Sequence, residues 1–111
     1  MVTVNLEQGM PTVPMALTRL GGAIRSAKAS GEPAVKLIHG YGSTGQGGAI
    51  RTAVHRELQQ RQRRGEIYLY IPGDRFSPFY EEARKGIDRC PQLARDRDYT
   101  RTNQGITIVV L

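Results

Sequence analysis

The densest group of residues able to do chemistry is a glycine run that begins directly after His39. Five glycines fall within the nine residues from Gly40 to Gly48, between a predicted strand and a predicted helix. Each glycine costs conformational entropy on folding, so the run needs a reason in the backbone. The usual reason is close approach of backbone amides to an anion at a helix N-terminus, where N–H groups and the helix dipole favour negative charge. A wide connection without a ligand is the alternative, but the neighbouring arginines favour the anion.

Two common phosphate-binding motifs do not fit this run. The spacing Gly40-x-Gly42-x-x-Gly45 matches the dinucleotide fingerprint, but that motif needs an acidic residue at the end of the next strand. Here the next strand ends at Ile71-Pro72, and 111 residues are too few for a second mononucleotide-binding half. A nucleoside triphosphate loop would need Lys followed by Ser or Thr after the glycines, and this pair is missing. We therefore expect no nucleotide cofactor.

The phosphate is expected to contact the glycine run and the first turn of the following helix. Arg51 is placed in that first turn, where a cation does not help the helix dipole, so a role in meeting phosphate explains it better. Tyr41 fits two roles, stacking on a base and packing against the protein. The predicted nucleic-acid contacts are Gly40, Tyr41, Gly42, Ser43, Thr44, Gly45, Gly47, Gly48 and Arg51.

The two histidines are far apart in the chain, and nothing in their spacing pairs them. His39 ends a predicted strand, and His55 comes sixteen positions later on a predicted helix. Neither belongs to a cluster of Asp, Glu or Cys with ligand spacing, so no metal site is expected. His39 has two interpretations that the residues leave open. It takes part in catalysis, or it orders the glycine run by hydrogen bonding.

The overall charge agrees with a polyanionic partner. Sixteen Lys and Arg residues stand against ten Asp and Glu, which gives a formal net charge of +6 and an isoelectric point near 10.0. Thirteen of the sixteen are arginines, whose planar guanidinium suits phosphate oxygens. Many small proteins are basic, so charge adds support to the glycine run without deciding the partner.

Length and composition indicate one globular domain over residues 1–111. Hydrophobic residues make up 39% of the chain and charged residues 23%, which is ordinary for a folded protein. No apolar run reaches the roughly 18 residues of a membrane span, and no secretion signal is visible at the start. We therefore expect a cytoplasmic protein without membrane attachment. Cys90 is the lone cysteine and is expected to be a small buried apolar group.

Hydrophobic periodicity predicts an α/β fold, a two-layer sandwich with the order β-α-β-α-β-(short helix)-β. The strands are predicted at Val2–Leu6, Ala34–His39, Ile67–Ile71 and Gly105–Leu111. A first helix follows the capping residue Thr12. A second helix carries Ile50, Val54 and Leu58 on its buried face.

Residues 72–103 are more polar and less typical than the rest. Ser77 and Pro78 predict the cap and first position of a short helix that runs to about Lys85. Pro91 predicts the start of a further turn.

The glycine run and its flanks resemble the small MutS-related (Smr) domain family. The resemblance lies in His39-Gly40-Tyr41-Gly42-Ser43-Thr44-Gly45, in Gly48-Ala49-Ile50-Arg51, and in the closing strand Gly105–Leu111. It covers most of the chain and is looser in residues 72–103. The resemblance implies a fold similar to the carboxy-terminal domain of translation initiation factor three. It also implies binding to RNA or DNA, and in some members endonuclease activity with His39 beside the scissile phosphate.

The first strand departs from the family pattern. Members with nuclease activity usually carry Asp-x-His there, whereas this chain has Asn5-Leu6-Glu7, so a carboxylate and an imidazole are missing. Three hypotheses follow. The chain grips the backbone of RNA or structured DNA; it is an endonuclease that uses His39; or it is an interaction module whose segment Ser77–Asp98 docks a protein partner. On the third hypothesis, that segment could be deleted with the fold left intact.

Overall fold

The computed structural model describes residues 1–40 and 47–111. The strands in these residues are β1 (Val2–Asn5), β2 (Ala34–Ile38), β3 (Leu69–Pro72) and β4 (Ile106–Val110). The α-helices are α1 (Val13–Ala29), α2 (Gly47–Arg63) and α3 (Glu81–Arg89), and 3-10 helices span Gly73–Arg75 and Pro91–Arg95. The predicted α/β class is confirmed. No helix in the described ranges has the length and apolar character needed to cross a membrane.

The last strand in the sequence lies in the interior of the sheet. The strand order is β1-β2-β4-β3, with β1 parallel to β2 and β4 antiparallel to both of its neighbours. Thr107 of β4 therefore pairs with Leu37 on one side and with Pro72 on the other. This register brings the ends of β2 and β3, and the start of β4, to one edge of the molecule.

Helices α1 and α2 form the helical layer of the predicted sandwich. The predicted inner face of α2 is confirmed, since Ile50, Val54 and Leu58 are all buried and pack with α1 against the sheet. Full burial of such side chains contributes about 1.5–3 kcal/mol each. The predicted cap of α1 is also confirmed, because the Thr12 hydroxyl accepts a hydrogen bond from the Met15 amide. Both helices are thus fixed on one face of the sheet.

The segment after β3 covers the opposite face, which adds to the two layers predicted. Its buried residues Phe76, Ala83 and Leu93 form a second core with Ile71 and other apolar side chains of the sheet. The expectation that this segment could be deleted with the fold intact is therefore wrong, because deletion would expose an apolar sheet face to water. Cys90 lies in the same core and is 1% exposed, as predicted.

Several strand ends differ from the prediction by one residue, and two elements begin later than predicted by more than that. The short helix begins at Glu81 rather than at Ser77-Pro78, because the Ser77 hydroxyl accepts from the Phe79 amide and stabilises a turn instead of capping a helix. β3 begins at Leu69 rather than Ile67. The predicted turn at Pro91 is confirmed as the start of the second 3-10 helix.

A buried ion cluster ties the covering segment to the sheet. Lys36 of β2 is 7% exposed, and its ammonium group pairs with the carboxylates of Asp96 and Asp98. Burial alone would lower the pKa of Lys36, but the hydrogen bonds to Asp98 and Asp96 outweigh it, so the pKa is raised. The cluster holds the loop before β4 against β2, on the face opposite α2.

Candidate nucleic-acid interface

The glycine run leaves the sheet in a fixed direction. The amides of His39 and Gly40 both donate to the Gly105 carbonyl, at 2.9 and 3.1 Å. Gly40 has a φ of +73°, and a Cβ there would collide with the Glu7 carboxylate. The first position of the run therefore favours glycine through its positive φ, whereas the flexible Glu7 side chain could move away from a Cβ. Glu7, one of the residues that stand where the family has Asp-x-His, thus lies against the start of the run.

The predicted contacts Tyr41, Gly42, Ser43, Thr44 and Gly45 lie outside the described residues. Gly47 and Gly48 form the beginning of α2, and the first turn contains no acidic residue. The amides of a first turn have no partners within the helix, and they lie at the positive end of its dipole. Together with Ala49, these glycines give the turn almost no side-chain bulk, so an anion can approach the backbone closely.

His39 is a buried, neutral histidine that orders the start of the run. Its side chain is 0% exposed. Its Nδ1 lies 2.7 Å from the Gly40 carbonyl oxygen, and its Nε2 lies 2.8 Å from Oγ1 of Thr107. A carbonyl oxygen can only accept, so Nδ1 carries the proton and Nε2 accepts from the Thr107 hydroxyl. Burial lowers the pKa of His39, and the nearby Arg51 charge acts in the same direction.

His55 forms a cluster with His39 and Thr107, although the positions of the two histidines in the sequence did not predict that they meet. Its ring stands at 90° to that of His39, with centroids 5.7 Å apart, and its Nε2 lies 2.8 Å from Oγ1 of Thr107. Burial lowers the pKa of His55 to about 4, and the charge of Arg51 adds to the effect. A usable signal was present in β4, because Thr107 is a polar residue within an apolar strand and a buried hydroxyl needs partners.

Arg51 lies next to this pair and differs from its predicted setting in two ways. It is the fifth residue of α2, just beyond the first turn rather than within it. Its Nη2 lies 3.5 Å from Oδ1 of Asp74, and both side chains are about one-third exposed. Within the described residues, Arg51 Nε and Asp74 Oδ1 are buried without a hydrogen-bond partner. The guanidinium therefore keeps donors that the described part of the protein does not use.

The residues around His39 include a carboxylate and an imidazole, the two groups that the first strand lacks because it has no Asp-x-His. Asp74 comes from the 3-10 helix after β3, and His55 comes from α2. His55 lies beside His39, and Asp74 pairs with Arg51, whose charge acts on both histidines. In the described ranges, no three or more His, Cys, Asp or Glu side chains are grouped so as to hold a metal ion.

Comparison with known proteins agrees with this fold. A sequence model of the Smr domain matches residues 8–72, which is more than half of the 111 residues. The chain therefore belongs to the Smr domain family, a nucleic-acid-binding and nuclease-type class of module.

A solved structure extends the likeness to the whole chain. The crystal structure of the Smr domain of Thermus thermophilus MutS2 aligns with a TM-score of 0.62 at 23% identity, covering 100% of this chain and 98% of that chain. At this identity the likeness shows the fold alone. It includes the segment after residue 72, where the sequence match ends. No curated protein sequence matches the chain significantly.

Proposed function

We propose that this Smr domain binds the phosphate backbone of RNA or structured DNA at the start of α2. The observation that carries the proposal is the first turn of α2, where Gly47, Gly48 and Ala49 follow the glycine run and no acidic residue intervenes. Unpaired amides and the helix dipole favour an anion there. The predicted contacts from Gly40 to Gly45 precede this turn in the sequence.

Arg51 adds a charged group to these backbone donors. Its ion pair with Asp74 is long, at 3.5 Å, and leaves the buried Nε without a partner among the described residues. A phosphate at the helix start can therefore be met by the guanidinium at small cost. The net charge of +6 speeds encounter with a polyanion.

The proposal is tested by fluorescence anisotropy with labelled RNA and DNA hairpins of the same sequence. Affinity should fall steeply as salt rises from about 50 mM to about 200 mM, because phosphate contacts release counterions. Binding that does not depend on salt contradicts the proposal.

A charge variant sharpens the test. Ala49→Glu places a carboxylate in the exposed first turn, which suits the helix dipole but repels phosphate. We expect at least about tenfold weaker binding with an undiminished melting temperature. Gln60→Glu adds the same charge near the far end of α2 and is the matched control. Equal effects of the two variants would mean that the helix start is not the site.

Phosphodiester cleavage is a second candidate function. The observation that favours it is the group of two neutral imidazoles, a guanidinium and a carboxylate at the same edge of the sheet. Cleavage needs a proton acceptor near the phosphate. If His39 is that acceptor, His39→Ala should abolish cleavage of labelled RNA or DNA while binding persists. If His39 only orders the glycine run, binding should weaken together with cleavage.

A further inference from the structure

The two imidazole rings of the cluster differ in how many of their nitrogens are engaged in hydrogen bonds. Starting from the Gly40 carbonyl, which can only accept, the His39 ring must carry its proton on Nδ1, and its Nε2 accepts the single hydrogen of the Thr107 hydroxyl. The same hydroxyl lies 2.8 Å from His55 Nε2. Because its hydrogen is already given to His39, His55 Nε2 must donate to the hydroxyl oxygen.

With the hydrogen bonds in this direction, one imidazole nitrogen has neither a proton nor a hydrogen bond, and that nitrogen is Nδ1 of His55. Both nitrogens of His39 are engaged and its side chain is 0% exposed. Among the described residues, Nδ1 of His55 has no hydrogen-bond partner and is not one of the buried atoms that lack one. Among the described residues, the unused lone pair of the cluster therefore belongs to His55, whose side chain is only partly buried.

We infer that His55, rather than His39, is the catalytic residue that accepts the proton of the attacking hydroxyl when this site cleaves RNA, and that Thr107 positions it. The inference rests on the proposed backbone binding and deepens the cleavage candidate. His55 follows Arg51 by one helical turn. It lies about 9 Å along the helix axis from Ala49, so the phosphate that reacts is a neighbour of the one held by the first turn.

The groups present suit attack by the ribose 2′-hydroxyl, which its own strand already holds beside the phosphorus. The 2′ O–H bond breaks and its proton moves to Nδ1 of His55, while the 2′ oxygen forms a bond to phosphorus. The bond from phosphorus to the 5′ oxygen breaks, and that oxygen takes a proton from water. The hydroxide left by that water then takes the proton from Nδ1 of His55, which restores the neutral ring. The products are a 2′,3′-cyclic phosphate and a 5′-hydroxyl end, and Arg51 offsets charge on the phosphoryl oxygens.

The groups around His55 keep its ring neutral. Arg51 on the same helix opposes a positive charge on the ring, whereas Asp74 favours one. The Tyr70 ring of β3 lies 5.8 Å away, centroid to centroid. With a pKa of about 4, His55 is neutral at physiological pH, so its Nδ1 lone pair is unprotonated. A cation formed by proton transfer keeps its Nε2–H bond to Thr107.

The experiment compares His55→Gln and His39→Gln with the full-length wild-type chain. The glutamine amide of His55→Gln can still donate to Thr107 near the Nε2 position but cannot accept the proton. Cleavage of a labelled RNA hairpin is measured alongside binding of its 2′-methoxy analogue, which cannot be cleaved by this route. We expect His55→Gln to cleave at least about a hundredfold more slowly with binding retained, and His39→Gln to lose less. Gln60→Ala serves as the control for substitution on α2.

Thr107 is tested as a positioning residue by two variants. Thr107→Val should slow cleavage and convert His55 from a single Nε2–H tautomer to a mixture, seen in imidazole ¹⁵N shifts. Thr107→Ser restores the hydroxyl and should restore both properties.

The outcomes separate the inference from the proposed function. Wild-type cleavage rates in His55→Gln, equal cleavage of the matched DNA hairpin, or salt-dependent binding without any RNA cleavage would each overturn the inference while backbone binding stands. Absence of salt-dependent binding to either hairpin would overturn the proposed function, and the inference with it.

Discussion

His55 donates to the same Thr107 hydroxyl that donates to His39, across distances of 2.8 Å on each side. These two hydrogen bonds join α2 to β4 and to the end of β2, where the glycine run begins. Buried polar groups need hydrogen-bond partners, so the contacts among His39, His55 and Thr107 help to fix the position of α2 over the sheet. Each prediction below isolates one part of this arrangement or of the fold that supports it.

The two histidines should occupy opposite tautomers at neutral pH. Nδ1 of His39 faces a carbonyl oxygen, which requires the proton there, and the order of the chain then places the proton of His55 on Nε2. Long-range ¹H–¹⁵N correlation spectra of the imidazole rings measure this directly. Identical tautomers in the two rings would show that the assigned direction is wrong.

Stability should decline as pH falls from about 6.5 to about 4. The pKa of His55 is lowered from 6.5 to about 4, and burial lowers the pKa of His39 as well. The unfolded chain therefore binds protons in this window that the folded chain does not. The contribution of the two histidines to the free energy of unfolding is complete above pH 6.5 and is lost as the pH falls toward 4. Urea unfolding at a series of pH values measures the slope. His55→Gln should flatten it, and an unchanged slope would exclude His55 as a contributor.

Arg51→Gln should reduce the salt dependence of nucleic-acid binding. Removing one phosphate contact lowers the slope of log affinity against log salt by about one and weakens binding similarly to RNA hairpins of different sequence. Arg64→Gln removes the same charge just beyond the far end of α2, where the side chain is 52% exposed, and should leave the slope near its wild-type value. Equal slopes for both variants would mean that Arg51 does not contact phosphate.

Lys36→Met should destabilise the fold by about 3 kcal/mol, because it leaves two partly buried carboxylates, those of Asp96 and Asp98, without their cation. The exposed Lys85, which pairs with Glu81 on α3, is the control, and Lys85→Met should change stability by no more than about 0.5 kcal/mol. Denaturant titration measures both free energies. Similar values for the two variants would mean that the buried cluster is not what holds the loop before β4.

Two helical glycines should respond to alanine in opposite directions. A Cβ at Gly86 of α3 would lie 2.8 Å from Cδ1 of Ile71, whereas at Gly22 of α1 the nearest atom is 3.8 Å away. Gly86→Ala should therefore cost about 1 kcal/mol through overpacking, and Gly22→Ala should add about 0.5–1 kcal/mol through lower backbone entropy in the unfolded chain. A stabilising Gly86→Ala would argue against close packing of α3 on β3.

Much of the local structure was predictable because it depends on neighbouring residues. The apolar spacing of Ile50, Val54 and Leu58 predicts the inner face of α2, and all three are buried. Predicted boundaries were wrong where two local interactions compete. At Ser77, the hydroxyl stabilises a turn instead of capping a helix.

Hydrophobic periodicity and the residues around the glycine run are local features of the sequence, so the sequence by itself determined the order of the elements and the family. It also predicts a phosphate-binding role for the glycine run. Only the tertiary structure decided which side chains meet there. His55 and His39 lie 52 and 68 positions from Thr107, and they converge because β4 inserts between β2 and β3. Strand pairing of this kind follows from burial summed over the whole sheet, and no local pattern specifies it.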